Sequence, residues 1–231
     1  MSSNKNGRKL IVNNNPKSVA AEAFRTLRTN LRFTAPDKEL KKIMLTSTGP
    51  AEGKSTISCN LAISICQTDK KVIMIDCDMR KPVLHQIFGV DNVYGLSNII
   101  TGQITLEEAL KDTSVDGLQL ITSGPTPPNP SELLQSQAMK DLIDQLDDFD
   151  GIVVLDAPPV LPVADSLILG PMCDGVAFVV AANQTHQEAA LRARDLLLNS
   201  KSRLLGVILN KVEFKGRSYE YYYYNYYTSL E

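Results

Sequence analysis

The chain has 231 residues, with 24 Lys and Arg against 26 Asp and Glu, for a formal charge of −2. That balance gives no global attraction to nucleic acid or to an anionic lipid surface, and 43% hydrophobic residues supply the core of one large α/β domain rather than two. The four cysteines, Cys59, Cys66, Cys77 and Cys173, lack paired spacing and fall mostly inside apolar runs. They read as small buried hydrophobes in a reducing compartment, not as a disulfide or zinc framework.

Residues 1–16 read as a flexible polar arm, with asparagine at 13, 14 and 15. Its opening lacks the apolar stretch of a signal peptide, and no run in the chain approaches the roughly 18 apolar residues of a membrane span. Lys5, Arg8 and Lys9 are too few for membrane attachment and read as a solvated tail. From Ser18 to Phe33, Val19, Ala20, Ala23, Phe24, Leu27 and Leu31 recur at helical spacing. Ser18 caps that helix, and Glu22, Arg25 and Arg28 project from another face, where i, i+3 charge pairing is the plain reading.

A strand over Lys42–Thr46 leads into Ser47-Thr48-Gly49-Pro50-Ala51-Glu52-Gly53-Lys54-Ser55-Thr56, and a helical run follows from Ile57 to Ile65. Strand, glycine-containing turn, Gly-Lys-Ser and helix form the layout of a nucleotide phosphate cradle. Backbone N–H groups point at phosphate oxygens, Lys54 adds a charge for the β- and γ-phosphates, and Ser55 offers a hydroxyl to Mg²⁺. The first glycine of the general pattern is replaced by Thr48, with Gly49 one step later. Lys71–Ile75 is a second strand, ending in Asp76-Cys77-Asp78-Met79-Arg80-Lys81-Pro82. Asp76 and Asp78 stand two apart, so in extended backbone they face the same way and need a cation or a proton between them.

Two short helices broken at Thr101-Gly102 occupy Gly95–Leu110, and Leu118–Thr122 is a third strand. The proline-rich segment Ser123–Pro130 follows, and Ser131 is expected to cap the next helix. Gly151–Leu155 is a fourth strand, ending in Asp156-Ala157-Pro158-Pro159. Val176–Ala182 and Leu204–Leu209 are the fifth and sixth, separated by a helix around Gln187–Leu198. Continuous apolar strands without alternation predict a parallel sheet covered by helices on both faces. Ligands of such sheets sit beyond the strand carboxyl ends, so residues 46–56, 76–80 and 156–159 are expected to converge on one crevice. From Phe214 the composition changes: Tyr219, Tyr221, Tyr222, Tyr223, Tyr224, Tyr226 and Tyr227 are seven of the eight tyrosines in the chain.

The motif order resembles the bacterial tyrosine kinases of capsule and exopolysaccharide synthesis over nearly the whole chain. Ile75-Asp76-Cys77-Asp78-Met79-Arg80-Lys81-Pro82 is similar to that family's second aspartate motif, Ser47–Ser55 to its phosphate loop with the same Thr48 departure, and Leu155–Pro159 to its Walker B. Glu22, Arg25 and Arg28 resemble its subunit-contact motif, Gly124–Leu134 its proline-rich loop, and Gly206–Lys211 followed by the tyrosines its C-terminal end. The chain looks like the separate cytosolic kinase subunit of Gram-positive type.

That resemblance implies an α/β fold with a three-layer parallel sheet, a P-loop NTPase of the MinD/ParA-like branch. It divides the chain into an arm (1–16), a kinase domain (17–213) and a flexible tyrosine-rich tail (214–231). ATP would lie on Gly49, Pro50, Ala51, Glu52, Gly53, Lys54, Ser55 and Thr56, with Asn210 at the adenine edge. Lys54 would stabilise the transferred phosphoryl group. Ser55 would ligate Mg²⁺ directly, Asp78 and Asp156 would support it through water, and Asp76 would be the candidate base for a tyrosine hydroxyl. Arg80 would approach either the phosphates or a neighbouring subunit.

The implied partners are a transmembrane adaptor of polysaccharide co-polymerase type, a homo-oligomeric ring (an octamer), a tyrosine phosphatase and other protein substrates. The implied location is the cytoplasm, at the inner face of the membrane. The competing reading is an ATP-switched dimer of the MinD/ParA type without kinase activity. Those proteins resemble this one at the phosphate loop but carry a second lysine five before Lys54, where this chain has Gly49.

Overall fold

The computed structural model describes residues 10–36 and 39–213. Leu10-Ile11-Val12 opens helix α1 (Ile11–Asn14), and the Ser18 hydroxyl accepts from the Ala21 N–H to start helix α2 (Val19–Phe33). Strand β1 (Lys42–Ser47) runs into helix α3 (Lys54–Cys66), and β2 (Val72–Asp76) into the short helices α4 (Leu84–Phe88), α5 (Leu96–Ile100) and α6 (Leu106–Ala109). Strands β3 (Lys111–Asp112) and β4 (Leu118–Ile121) precede helices α7 (Pro130–Gln135) and α8 (Gln137–Gln145). Strand β5 (Ile152–Asp156), helix α9 (Asp165–Leu169), strand β6 (Gly175–Ala181), helix α10 (Gln187–Asn199) and strand β7 (Leu204–Asn210) follow.

The strands form one sheet in the order β3-β4-β2-β5-β1-β6-β7. All neighbours are parallel except β3, a two-residue edge strand antiparallel to β4 that the apolar patterning does not reveal. Every residue of β1 and β2 is buried, because helices cover both faces. On one face Val12, Ala21, Leu61 and Ile63 pack with Leu45 and Met74. On the other, Leu96, Leu134, Leu142, Leu169 and Leu197 pack with Met44, Ile75, Leu155 and Phe178. The result is the three-layer arrangement expected of continuous apolar strands.

Three local expectations need correction. The arm does not stay irregular through residue 16: Leu10 and Val12 are buried, and the Val12 N–H donates to Asn60 Oδ1 at 3.0 Å. The apolar triplet at 10–12 is long enough to dock on α3 even though polar residues surround it. Strand β7 is not covered on both faces, since Val207 and Leu209 are more than half exposed at the sheet edge. Ser131 does not cap α7; Pro130 opens that helix, and the Ser131 hydroxyl donates instead to Asp165. The arm's first nine residues and the tyrosine-rich segment from 214 lie outside the described residues.

Candidate active site

Register brings the predicted clusters together. Asp156, the last residue of β5, is paired with Asp76 at the end of β2 and with Leu45 near the end of β1. Adjacent strands lie about 4.8 Å apart, so the two carboxylates and the phosphate loop share one edge of the sheet. The loop needs unusual backbone. Ala51 has φ 63° and Gly53 φ 94°, both left-handed, and a Cβ on Gly53 would overlap the Asn210 amide. Only glycine allows that close approach directly before α3.

Lys54, the first residue of α3, is the hub of the site. Its Nζ lies 3.2 Å from Asp78 Oδ2, 3.3 Å from Asp156 Oδ2 and 3.3 Å from Ser55 Oγ. Ser55 Oγ donates to Asp156 Oδ2 at 2.6 Å, and Ser58 Oγ, one turn further along α3, donates to Asp156 Oδ1 at 2.9 Å. Burial alone would depress the Lys54 pKa, but Asp156, Asp78 and Asp76 together outweigh it and hold the ammonium above its ordinary value.

Asp76 is fully buried, with Oδ1 accepting from the Asp78 N–H at 3.2 Å and Oδ2 from the Val83 and Leu84 N–H groups at 3.1 and 3.0 Å. Burial, followed by the charge of Asp156, pushes its pKa up to about 7, against the pull of the Leu84 N–H and Lys54. A carboxyl poised near neutrality fits a group that takes up a proton during turnover. Asp78 accepts from the Lys81 N–H at 3.0 Å through Oδ1 and meets Lys54 through Oδ2, so it does not pair with Arg80.

The residues suit Mg²⁺ delivered with a nucleotide. Ser55, Asp156 and Asp78 are hard oxygen donors gathered around Lys54. Among the described residues no group of three or more His, Cys, Asp or Glu could hold a metal by itself. Mg²⁺ is usually held by one or two carboxylates plus waters and substrate phosphates. Three carboxylates facing a single lysine would repel a bare triphosphate, and a divalent ion offsets that charge.

Several supports were not legible beforehand. Glu52 turns its carboxylate into the loop, where Oε2 accepts from the Thr48 N–H at 2.9 Å and Oε1 from the Thr185 hydroxyl at 2.7 Å. Any contact of Glu52 with a phosphate therefore falls to its main chain. Asn210 donates to the Glu52 carbonyl at 2.8 Å, and Lys211 Nζ to the Ala51 carbonyl at 2.7 Å. The start of the C-terminal segment is thus tied to the phosphate loop. Ser58 could have been anticipated, since i+4 from Lys54 faces the same way on a helix; nothing marked Thr185.

The remaining predicted group lies elsewhere. Arg25 pairs with Glu22 on α2, the i, i+3 pairing read from the sequence, while Arg28 donates to the Ser64 carbonyl of α3. All three side chains are partly exposed and distant in sequence from the crevice loops.

Residues 43–225 match the family model of the CobQ/CobB/MinD/ParA nucleotide binding domain. The chain is 42% identical to the tyrosine-protein kinase YwqD of Bacillus subtilis over 217 residues, covering 94% of this chain and 91% of that one. It is 38% identical over 220 residues to the tyrosine-protein kinase wzc of Salmonella typhimurium, where the match spans 94% of this chain but only 30% of the relative. The crystal structure of the chimerical protein CapA2B2 superposes with a TM-score of 0.86 at 38% identity, covering 90% of this chain and 91% of that one. With the matches to these two kinases and to CapA2B2 spanning nine-tenths or more of its length, the chain belongs to the bacterial tyrosine-protein kinases, on the P-loop fold of the MinD/ParA branch.

Proposed function

We propose that the chain transfers the γ-phosphoryl group of Mg-ATP to tyrosines 219–227 of a neighbouring copy. The observation that carries this reading is Lys54 set between Asp78 and Asp156 with Asp76 in register beside it. Phosphoryl transfer asks mainly for positioning and charge neutralisation. Lys54 meets the transferred group, the loop from Gly49 to Thr56 cradles the phosphates, and Asn210 faces the adenine. Ser55, Asp78 and Asp156 would hold Mg²⁺, which would neutralise developing charge on the phosphates. Asp76 accepts the proton of the incoming phenol, whose ordinary pKa near 10 leaves it protonated at neutral pH.

Copies would associate through Glu22, Arg25 and Arg28 into a ring, where a tethered tail meets the next site at high effective concentration. Each added phosphate brings about −1.5 to −2 charge, so a heavily modified tail repels its acidic surroundings and loosens the ring. The match to wzc, which spans 30% of that relative, supports a reading in which a membrane adaptor works together with this kinase domain. Among the described residues no helix is long and apolar enough to cross a membrane; the adaptor would recruit the chain to the inner face of the membrane. Capsular or exopolysaccharide synthesis and export is the process such a pair would regulate.

Incubation with Mg-ATP and the adaptor's cytosolic segment, followed by mass spectrometry, tests the reading. Phosphate is expected on tyrosines 219–227 and is lost in Lys54→Met. Equal labelling of Lys54→Met would overturn the assignment.

A further inference from the structure

Arg80 is neither on the phosphate loop nor turned away from the molecule. Its Nε donates to Asp165 Oδ2 at 3.1 Å, and its Nη2 reaches Asp165 Oδ1 at 3.4 Å and the Ser131 hydroxyl at 2.9 Å. Ser131 Oγ in turn donates to Asp165 Oδ1 at 2.6 Å. Asp165 is fully buried, while the Arg80 side chain is 38% exposed. Three separate segments meet here: the turn after β2, the first turn of α7 beyond the proline-rich loop, and the start of α9 downstream of Asp156.

The other end of the same turn is part of the site. Asp78 Oδ1 closes it onto the Lys81 N–H at 3.0 Å, and Asp78 Oδ2 meets Lys54 at 3.2 Å. A fork of two parallel N–H donors fixes both distance and angle in a way an ammonium does not. We propose that Arg80, braced on Asp165 and Ser131, is the positioning residue that sets where the Asp78 carboxylate stands relative to Lys54 and Asp156. This rests on the kinase reading for its consequence, because Asp78 is there a support for the metal. In this role Arg80 acts through Asp78 and not on the nucleotide or the acceptor. Asp165 serves as the buried anchor, and the brace ties the spacing of the two aspartate motifs to the proline-rich loop.

The test is Arg80→Lys, which keeps the charge and removes the fork. Two quantities are read in parallel on the full chain: phosphotransfer with the adaptor segment, and affinity for a fluorescent ATP analogue, each across a Mg²⁺ titration. Val12→Ala is the control for a stability loss away from the site. The expected result is a fall in kcat of about tenfold or more, since small misplacements near reacting groups are costly, together with a higher Mg²⁺ half-point in both titrations. The KM for ATP at saturating Mg²⁺ stays near the wild-type value, and the control leaves the Mg²⁺ half-point unmoved. A raised KM for ATP with an unmoved Mg²⁺ half-point would overturn the proposal in favour of direct phosphate contact. An unchanged half-point in both titrations would overturn it outright. If the wild-type chain binds nucleotide but transfers nothing to tyrosine, the kinase reading fails, and the binding titration still decides the role of Arg80.

Discussion

Asp76 carries the sharpest consequence at the scale of single residues, because it is a carboxyl whose pKa is raised to about 7. In the unfolded chain an aspartate releases its proton near pH 4. Between those values the folded protein binds more protons than the unfolded one, so this group's stabilising contribution is lost as pH rises through about 7. Asp76→Asn abolishes the titration. The melting temperature of the variant minus that of the wild type, measured without nucleotide or metal, is expected to move in the variant's favour from pH 5 to pH 8. A difference that stays flat over that range would contradict the assignment. That Lys54, Asp76, Asp78 and Asp156 converge was legible in the sequence because each stands at the end of an apolar strand or in a glycine-containing turn. Thr185, Asp165 and the side-chain bond of Glu52 to Thr185 were not, since these partners are remote in the chain and only the fold brings them close.

Elements were legible where a single physical signal dominated. The apolar runs of β1, β2 and β5 fixed their identity, and Ser18 marked the start of α2 as expected. Short elements escaped: β3 has two residues, and α1 has four, of which only Val12 is buried, amid asparagines. Val12 has no exposed surface, so Val12→Ala is expected to cost about 1–3 kcal/mol, read by chemical denaturation. A loss within error would mean that α1 is not docked on α3. The phosphate loop allows a complementary test. Gly53→Ala places a side chain at φ 94° against Asn210. It should destabilise by about 1–2 kcal/mol and weaken nucleotide binding together. Weaker stability with intact nucleotide affinity would show that the Asn210 contact does not govern the loop.

The parallel sheet sends β7 out at the same edge as the active site, and Asn210 and Lys211 anchor that exit to the phosphate loop. On the proposed function, tyrosines 219–227 are modified by an adjoining copy. Changing all seven tail tyrosines to Phe should leave native mass at the larger assembly after exposure to Mg-ATP, whereas the phosphorylated wild type shifts toward smaller species. Equal masses would separate phosphorylation from assembly. The most direct measurement mixes two variants in the presence of the adaptor segment and Mg-ATP. Lys54→Met copies keep their tail tyrosines, and active copies carry Phe at tail positions 219, 221–224, 226 and 227. Phosphotyrosine on the Lys54→Met copies is the expected result. Its absence, under conditions where wild-type chains label their own tails, would contradict transfer between copies.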